Sequence, residues 1–224
     1  YFTARHTESG RQCIGVAFSA APQGPFKSSS PKPLVCQLDL GGSIDADGFT
    51  DAGGQHYLYW KNDGNCCSQA TAIWVQPLSP DGQKLSGKPK DLIYNNQLWE
   101  GNLIEAPYMV RHGSQYYLFY SASSWDTDLY AVGYAVGSSP SGPFRKVGDA
   151  PLLASNGPVA GPGGQGVITD GKGQSWMYYH AWDARNVGYE GGGRRALYLS
   201  PLTWQADRPQ VKAALRISPA PVAP

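Results

Sequence analysis

Windows rich in Ala, Leu, Glu and Lys are missing from this 224-residue chain, and with them any segment that would form a helix of ordinary length. Charge is also scarce. Only 16% of residues are charged and the formal net charge is +1, so nothing electrostatic points to nucleic acid or an anionic membrane surface as a partner; a neutral ligand is expected. No apolar run approaches the roughly 18 residues of a membrane-spanning helix. The opening Tyr1-Phe2-Thr3-Ala4-Arg5 carries neither the basic nor the apolar region of a signal peptide and reads as the inside of a strand. Cysteine is limited to Cys13, Cys36 and the neighbours Cys66 and Cys67, with no CxxC spacing to suggest zinc. A Cys13–Cys36 disulfide and a Cys66–Cys67 bridge would suit an exported, extracellular protein; four buried thiols are the alternative.

What the chain does have is Gly, Pro, Trp and Tyr, arranged in short aromatic runs: HYLYW (56–60), YYLFYS (116–121), WMYYHAW (176–182) and RALYLSPL (195–202), each bounded by Gly or polar turns. The fold class is all-β. SIDADGFTDAGGQHYLYW, LIEAPYMVRHGSQYYLFY and GGQGVITDGKGQSWMYYH align at steps of 60 residues, which match Asp45 with Glu105 and Gln165, and Tyr59 with Phe119 and Tyr179. Several short strands per repeat at this period predict a β-propeller, and exceed the about 40–45 residues of WD-type blades. AAPQGPFK (20–27) and SSPSGPFR (138–145) read as one outer-strand turn seen in two blades. Inner strands lie nearest the axis, so residues 45, 105 and 165 should converge on one pocket.

Asp45 and Glu105 form the first chemical constellation. Glu105 stands in NLIEAPY among Leu103, Ile104, Ala106 and Pro107. An apolar setting of that kind raises a carboxyl pKa and lets the acid keep a proton at neutral pH. Protonated and ionised acids around a neutral ligand suit glycoside hydrolysis, although each acid could equally cap a turn or pair with an arginine. Glu100, in WEG, falls outside the 60-residue register and is the decoy. Around the pocket, Trp60, Lys61, Asn62 and Asp63 read either as a polar turn or as hydrogen-bonding partners of sugar hydroxyls. Trp99 and Trp125 are candidates for stacking on a sugar ring or for packing between blades. His180 could approach the axis or be structural, and of Arg194 and Arg195 one is expected to reach the acids.

The segments GSIDADGFTDAGGQHYLYWKNDGN, WEGNLIEAPYMVRHGSQYYLFYSA, GYAVGSSPSGPF and GPGGQGVITDGKGQSWMYYHAW resemble glycoside hydrolase family 43, the five-bladed β-propeller arabinosidases and xylosidases. The resemblance implies an inverting hydrolase with Glu105 as general acid, Asp45 as the residue that tunes its pKa, and a base Asp in the first blade. Three departures stand out. Ala46 replaces the proline that usually follows the tuning Asp. Gln165 stands where the family usually has a His that often helps hold water or calcium on the axis; no cofactor is expected to be required, and a structural calcium or water stays open. Asp45-Ala46-Asp47-Gly48 resembles the start of a calcium loop but lacks the Glu at its twelfth position.

Counting back from Asp45 by 60 puts two earlier inner-strand positions before residue 1. The chain is therefore expected to supply about three and a half to four blades over residues 1–217, without the first blade and its base, followed by a Pro/Ala-rich tail over 218–224. A missing N-terminal segment or companion chain would complete the ring. Inversion needs a base roughly 6.5–9.5 Å from the acid, so the lone chain is expected to turn substrate over poorly. It would then be either part of a hydrolase of arabinose- or xylose-containing plant glycans, or a propeller remnant that binds sugar without cleaving it.

Overall fold

The computed structural model describes residues 1–28, 30–211 and the backbone of 215–216. The tail from Ser218 to Pro224 lies outside the described residues. A hairpin comes first, β1 (Phe2–Arg5) and β2 (Gln12–Gly15), with Glu8 in its turn as the sequence suggests. Three four-stranded antiparallel blades follow. The first is β3 (Ser43–Thr50), β4 (His56–Asn62), β5 (Ala72–Pro77) and β6 (Lys90–Tyr94). The second is β7 (Ile104–His112), β8 (Gln115–Ala122), β9 (Ala131–Gly137) and β10 (Phe144–Lys146). The third is β11 (Val159–Thr169), β12 (Ser175–Asp183), β13 (Arg195–Gln205) and β14 (Arg208–Val211), with β15 (Leu215–Arg216) pairing along β13. Three blades and a half of the propeller are thus present, and both GPF turns carry a cis Gly–Pro bond.

Three of the aromatic runs become the second strand of a blade and RALYLSPL becomes the third strand of the last; period-2 alternation explains why the run in the middle blade is apolar almost throughout. On β8, Leu118 and Tyr120 pack with Tyr59, Ile73 and Val75 of the preceding blade and with Met109 of their own, while Tyr117 and Phe119 pack with Met177, Tyr179 and Tyr198 of the next. Both faces are buried, so no polar face interrupts the run. On β4, Leu58 and Trp60 join Ile14, Val35 and Leu78 in a third cluster that ties the first hairpin to the first full blade. The Cys13–Cys36 disulfide lies beside this cluster, with Cys13 buried.

The three inner strands share an irregularity. Register shifts fall between Ile44 and Asp47, between Glu105 and Tyr108, and between Gly163 and Gly166. A bulge re-aims side chains, and here it does so at the positions matched by the 60-residue step. Asp45, Ala106 and Gly164 have φ of 55°, 50° and 61°. The left-handed region costs a non-Gly residue about 1–3 kcal/mol, and residues held there cluster at functional sites. Residues 43–50 are strand throughout, so the calcium-loop reading of Asp45–Gly48 is not realised.

Just past the first bulge, burial pushes the Asp47 carboxyl up to about 7, against hydrogen bonds from the backbone of Met109 and Gly48. Its folded pKa thus lies above the roughly 3.9 of an unfolded Asp. The folded state holds this proton more tightly, so the contribution of Asp47 to stability is greatest at low pH and declines as pH rises from about 4 to 7. Urea unfolding across that window should show a shallower decline in Asp47→Asn than in the parent; an unchanged slope would refute the assignment.

Candidate active site

The first strand of each blade starts, and the second ends, on one end of the propeller: Ser43 pairs with Asn62, Ile104 with Ala122 and Val159 with Asp183. Residues just inside those ends face a common cavity. Glu105 is 8% exposed. Its Oε2 accepts a hydrogen bond from Lys61 Nζ at 3.0 Å and its Oε1 one from the Tyr130 hydroxyl at 2.7 Å. The apolar setting expected from its neighbours is not what the carboxylate meets. Strand alternation sends Ile104 into the core and turns Glu105 to the other side, among polar donors.

Ala106 is the meeting point of the three matched residues. Its N–H donates to Asp45 Oδ2 at 3.0 Å, and its carbonyl accepts from Gln165 Nε2 at 2.8 Å. Gln165 Oε1 in turn accepts from Ser121 Oγ at 2.6 Å, and Ser121 Oγ accepts from Gly164 N at 2.8 Å. Asp45 and Gln165 therefore clamp the backbone immediately after Glu105 from either side. Both ends of the Gln165 amide are engaged with protein. Among the described residues, the one group with metal-ligand spacing is His6, Cys13 and Cys36, and its two sulfurs are already bonded to each other.

Burial raises the Asp45 carboxyl to about 6; the negative charge of Glu105 adds to this, while Lys61 and the Ala106 N–H work against it. Lys61 is fully buried and also lies 3.8 Å from Asp63. Asp63 is raised as well, chiefly by burial, with Lys61 pulling it down and Glu105 pushing it up. Three carboxyls thus surround one ammonium. Burial, and next the charge of Glu105, pushes the Tyr130 hydroxyl far above its ordinary value, so it stays a proton donor to Glu105.

The cavity over Asp45 and Glu105 is walled by Trp125, Tyr130, His180, Tyr189 and Arg195. Trp125 is 41% exposed and presents a ring to this space, and His180 stacks on Tyr130 with centroids 5.9 Å apart. Of the two arginines, Arg195 lines the cavity, whereas Arg194, proposed above, is exposed and not part of the wall. The Arg195 guanidinium lies 5.3 Å from the Trp125 and Trp182 ring centres and 5.6 Å from that of Tyr130, and bonds the ring of His180. Burial lowers it to about 10. Its Nε is buried and has no hydrogen-bond partner among the described residues.

Other candidates prove structural. Trp60 is 1% exposed, sits in the core beside the first hairpin and donates to Gln37. Asn62 is consumed by the fold: its amide donates to the carbonyls of Leu40 and Ala70 and accepts from Ala72 N and the Trp74 indole. Trp99 packs on Tyr120 between blades and donates to Gln97. Glu100 is fully buried and bound by Lys146, Tyr120 and the N–H groups of Asn96 and Gln97, which makes it a cap rather than an acid facing the cavity. Tyr130 and Tyr189 were not foreseen. They lie on the β8–β9 and β12–β13 loops, outside the matched segments, and no periodic signal carries them.

A family model described as glycosyl hydrolases family 43 matches residues 1–208. A protein from Aspergillus clavatus described as a probable arabinan endo-1,5-alpha-L-arabinosidase A is 31% identical over 191 residues, covering 76% of this chain and 53% of that protein. A beta-D-galactofuranosidase from Aspergillus niger is 28% identical over 170 residues, covering 75% and 46%. The chain spans about half the length of these curated relatives. Among solved structures, a thermostable family-43 glycoside hydrolase superposes with a TM-score of 0.85 at 30% identity, covering 99% of this chain and 73% of that one. An alpha-L-arabinofuranosidase from Lactobacillus brevis shares the fold, with a TM-score of 0.74 at 20% identity over 92% and 67%.

Proposed function

The chain belongs to glycosyl hydrolases family 43, and from that premise we propose that it supplies the acid side of an inverting glycoside hydrolase acting on arabinose- or xylose-containing glycans. The observation that carries the reading is the clamp at Ala106: Asp45 and Gln165 fix the peptide next to Glu105, and Asp45 sits close enough for the two carboxyls to feel each other's charge. Glu105 delivers a proton to the departing glycosidic oxygen, with the Tyr130 hydroxyl and the Lys61 ammonium orienting its two oxygens. Trp125 and Tyr189 offer ring faces to the apolar side of a sugar, and Arg195 and His180 offer polar contacts to its hydroxyls.

The base that activates water comes from a segment or companion chain that completes the ring. The open flank of the last blade supports this. Leu197 and Ile168 are 43% and 49% exposed on the face of β13 and β11 opposite the one that packs on the second blade. Two disulfides support an oxidising, extracellular setting. The test is incubation of the protein, with its base-bearing segment present, with α-1,5-arabino-oligosaccharides and β-1,4-xylo-oligosaccharides, followed by proton NMR of the first product. Release of a sugar of inverted anomeric configuration is expected; retention, or inertness toward both series, would refute the proposal.

A further inference from the structure

The β4–β5 turn carries two adjacent cysteines joined to each other, with Cys66 exposed and Cys67 partly so. This bridge closes the smallest ring a chain can form and so removes almost no entropy from the unfolded state. Cys13–Cys36, 23 residues apart and beside a core cluster, can act as a cross-link in the ordinary sense. The exposed pair needs another explanation.

Its position offers one. The β4–β5 turn opens on the same end of the propeller as Glu105 and is the counterpart of the β8–β9 and β12–β13 loops, which bring Trp125 and Tyr189 to the cavity wall. Sixty residues before Trp125 stands Asn65, next to the bridge. The turn is tied to the acid cluster by short steps: Cys66 N donates to the Asp63 carbonyl at 3.2 Å, Asp63 lies 3.8 Å from Lys61, and Lys61 3.0 Å from Glu105. From the first hairpin, Arg11 directs Nη1 at both sulfurs, 3.2 Å from Cys66 Sγ and closer still to Cys67 Sγ.

Resting on the glycan reading above, we infer that the Cys66–Cys67 bridge with Arg11 is a second sugar contact, taking a neutral pentose unit of the same chain beyond the one seated at Glu105. The polarisable sulfurs present a small, rigid apolar plate to the C–H side of the ring, as Trp125 does one blade further on. Arg11, held against the plate, keeps further N–H donors for ring hydroxyls, and exposed Asn65 flanks them with an amide.

Calorimetric titration of the chain with arabinose, α-1,5-arabinotriose, xylose and β-1,4-xylotriose tests this, using Cys66→Ala/Cys67→Ala and Arg11→Ala beside the parent. The parent should bind one of the trioses more tightly than its monosaccharide. Both variants should weaken triose binding by about 5-fold or more, in keeping with one lost contact, and leave monosaccharide binding unchanged. If the parent binds the triose and both variants bind it equally well, the second contact is refuted while the hydrolase reading stands; if the parent binds none of the four sugars, both fail. Equal loss on monosaccharide and triose in the cysteine variant would mean the turn had shifted Asp63 and Lys61. Arg11→Ala then decides: a triose-selective loss sustains the contact, and its absence overturns it.

Discussion

Glu105→Gln is expected to lower kcat/KM on arabino- or xylo-oligosaccharides by about 10²–10⁴-fold, the range for removal of a positioned general acid. The measurement requires the base-bearing segment to be present. The loss should depend on the leaving group. A sugar alkoxide must be protonated as it departs, whereas 2,4-dinitrophenolate leaves readily without a proton, so the dinitrophenyl glycoside should lose far less. Gln keeps the size of the side chain, its oxygen can still accept from Lys61, and its NH2 can donate to the Tyr130 hydroxyl oxygen, so the cavity walls should be preserved. Equal rates for parent and variant on the oligosaccharide would remove Glu105 from the acid role. An equal loss on both kinds of substrate would mean the variant had damaged binding instead.

Lys61→Met should have the largest effect on stability. The ammonium is fully buried, 3.0 Å from Glu105 and 3.8 Å from Asp63, and Asp45 feels its charge too. Removing it leaves buried carboxylates facing one another with no counter-charge. Breaking a buried pair from one side costs about 3–5 kcal/mol, and a domain of this size loses about 2–4 °C of Tm per kcal/mol. The double variant Lys61→Met/Glu105→Gln should recover part of the loss, since it also removes one of the stranded charges. A Tm within about 2 °C of the parent, about 0.5–1 kcal/mol, would show that the cluster does not depend on this ammonium.

The strands, the blade count and the convergence of residues 45, 105 and 165 were legible in the sequence because they obey periodic rules. Two buried faces make the second strand of the middle blade apolar almost throughout, and a constant blade size puts Asp45, Glu105 and Gln165 at the same radius. Single side chains were less legible. Trp60 and Asn62 stand two residues apart on one strand that also carries Lys61, yet only Lys61 turns toward the acids. Alternation separates Lys61 from its neighbours, and which face looks toward the cavity depends on a bulge that a sequence period does not reveal. Arg194 and Arg195 differ by one residue and by one face in the same way.

The sequence by itself determined the all-β propeller, the spacing of its blades and the two acids, since each follows from hydrophobic period and from residue type repeated at 60. Tertiary structure alone decided how those acids are held: Lys61 and Tyr130 on Glu105, Asp45 and Gln165 on the Ala106 peptide, Arg195 among three rings, and Glu100 withdrawn into a cap. The contacts on Glu105 and on the Ala106 peptide join residues 25 to 61 positions apart through loops of unequal length. Their geometry depends on how the blades pack against one another, and no local pattern in the chain encodes it.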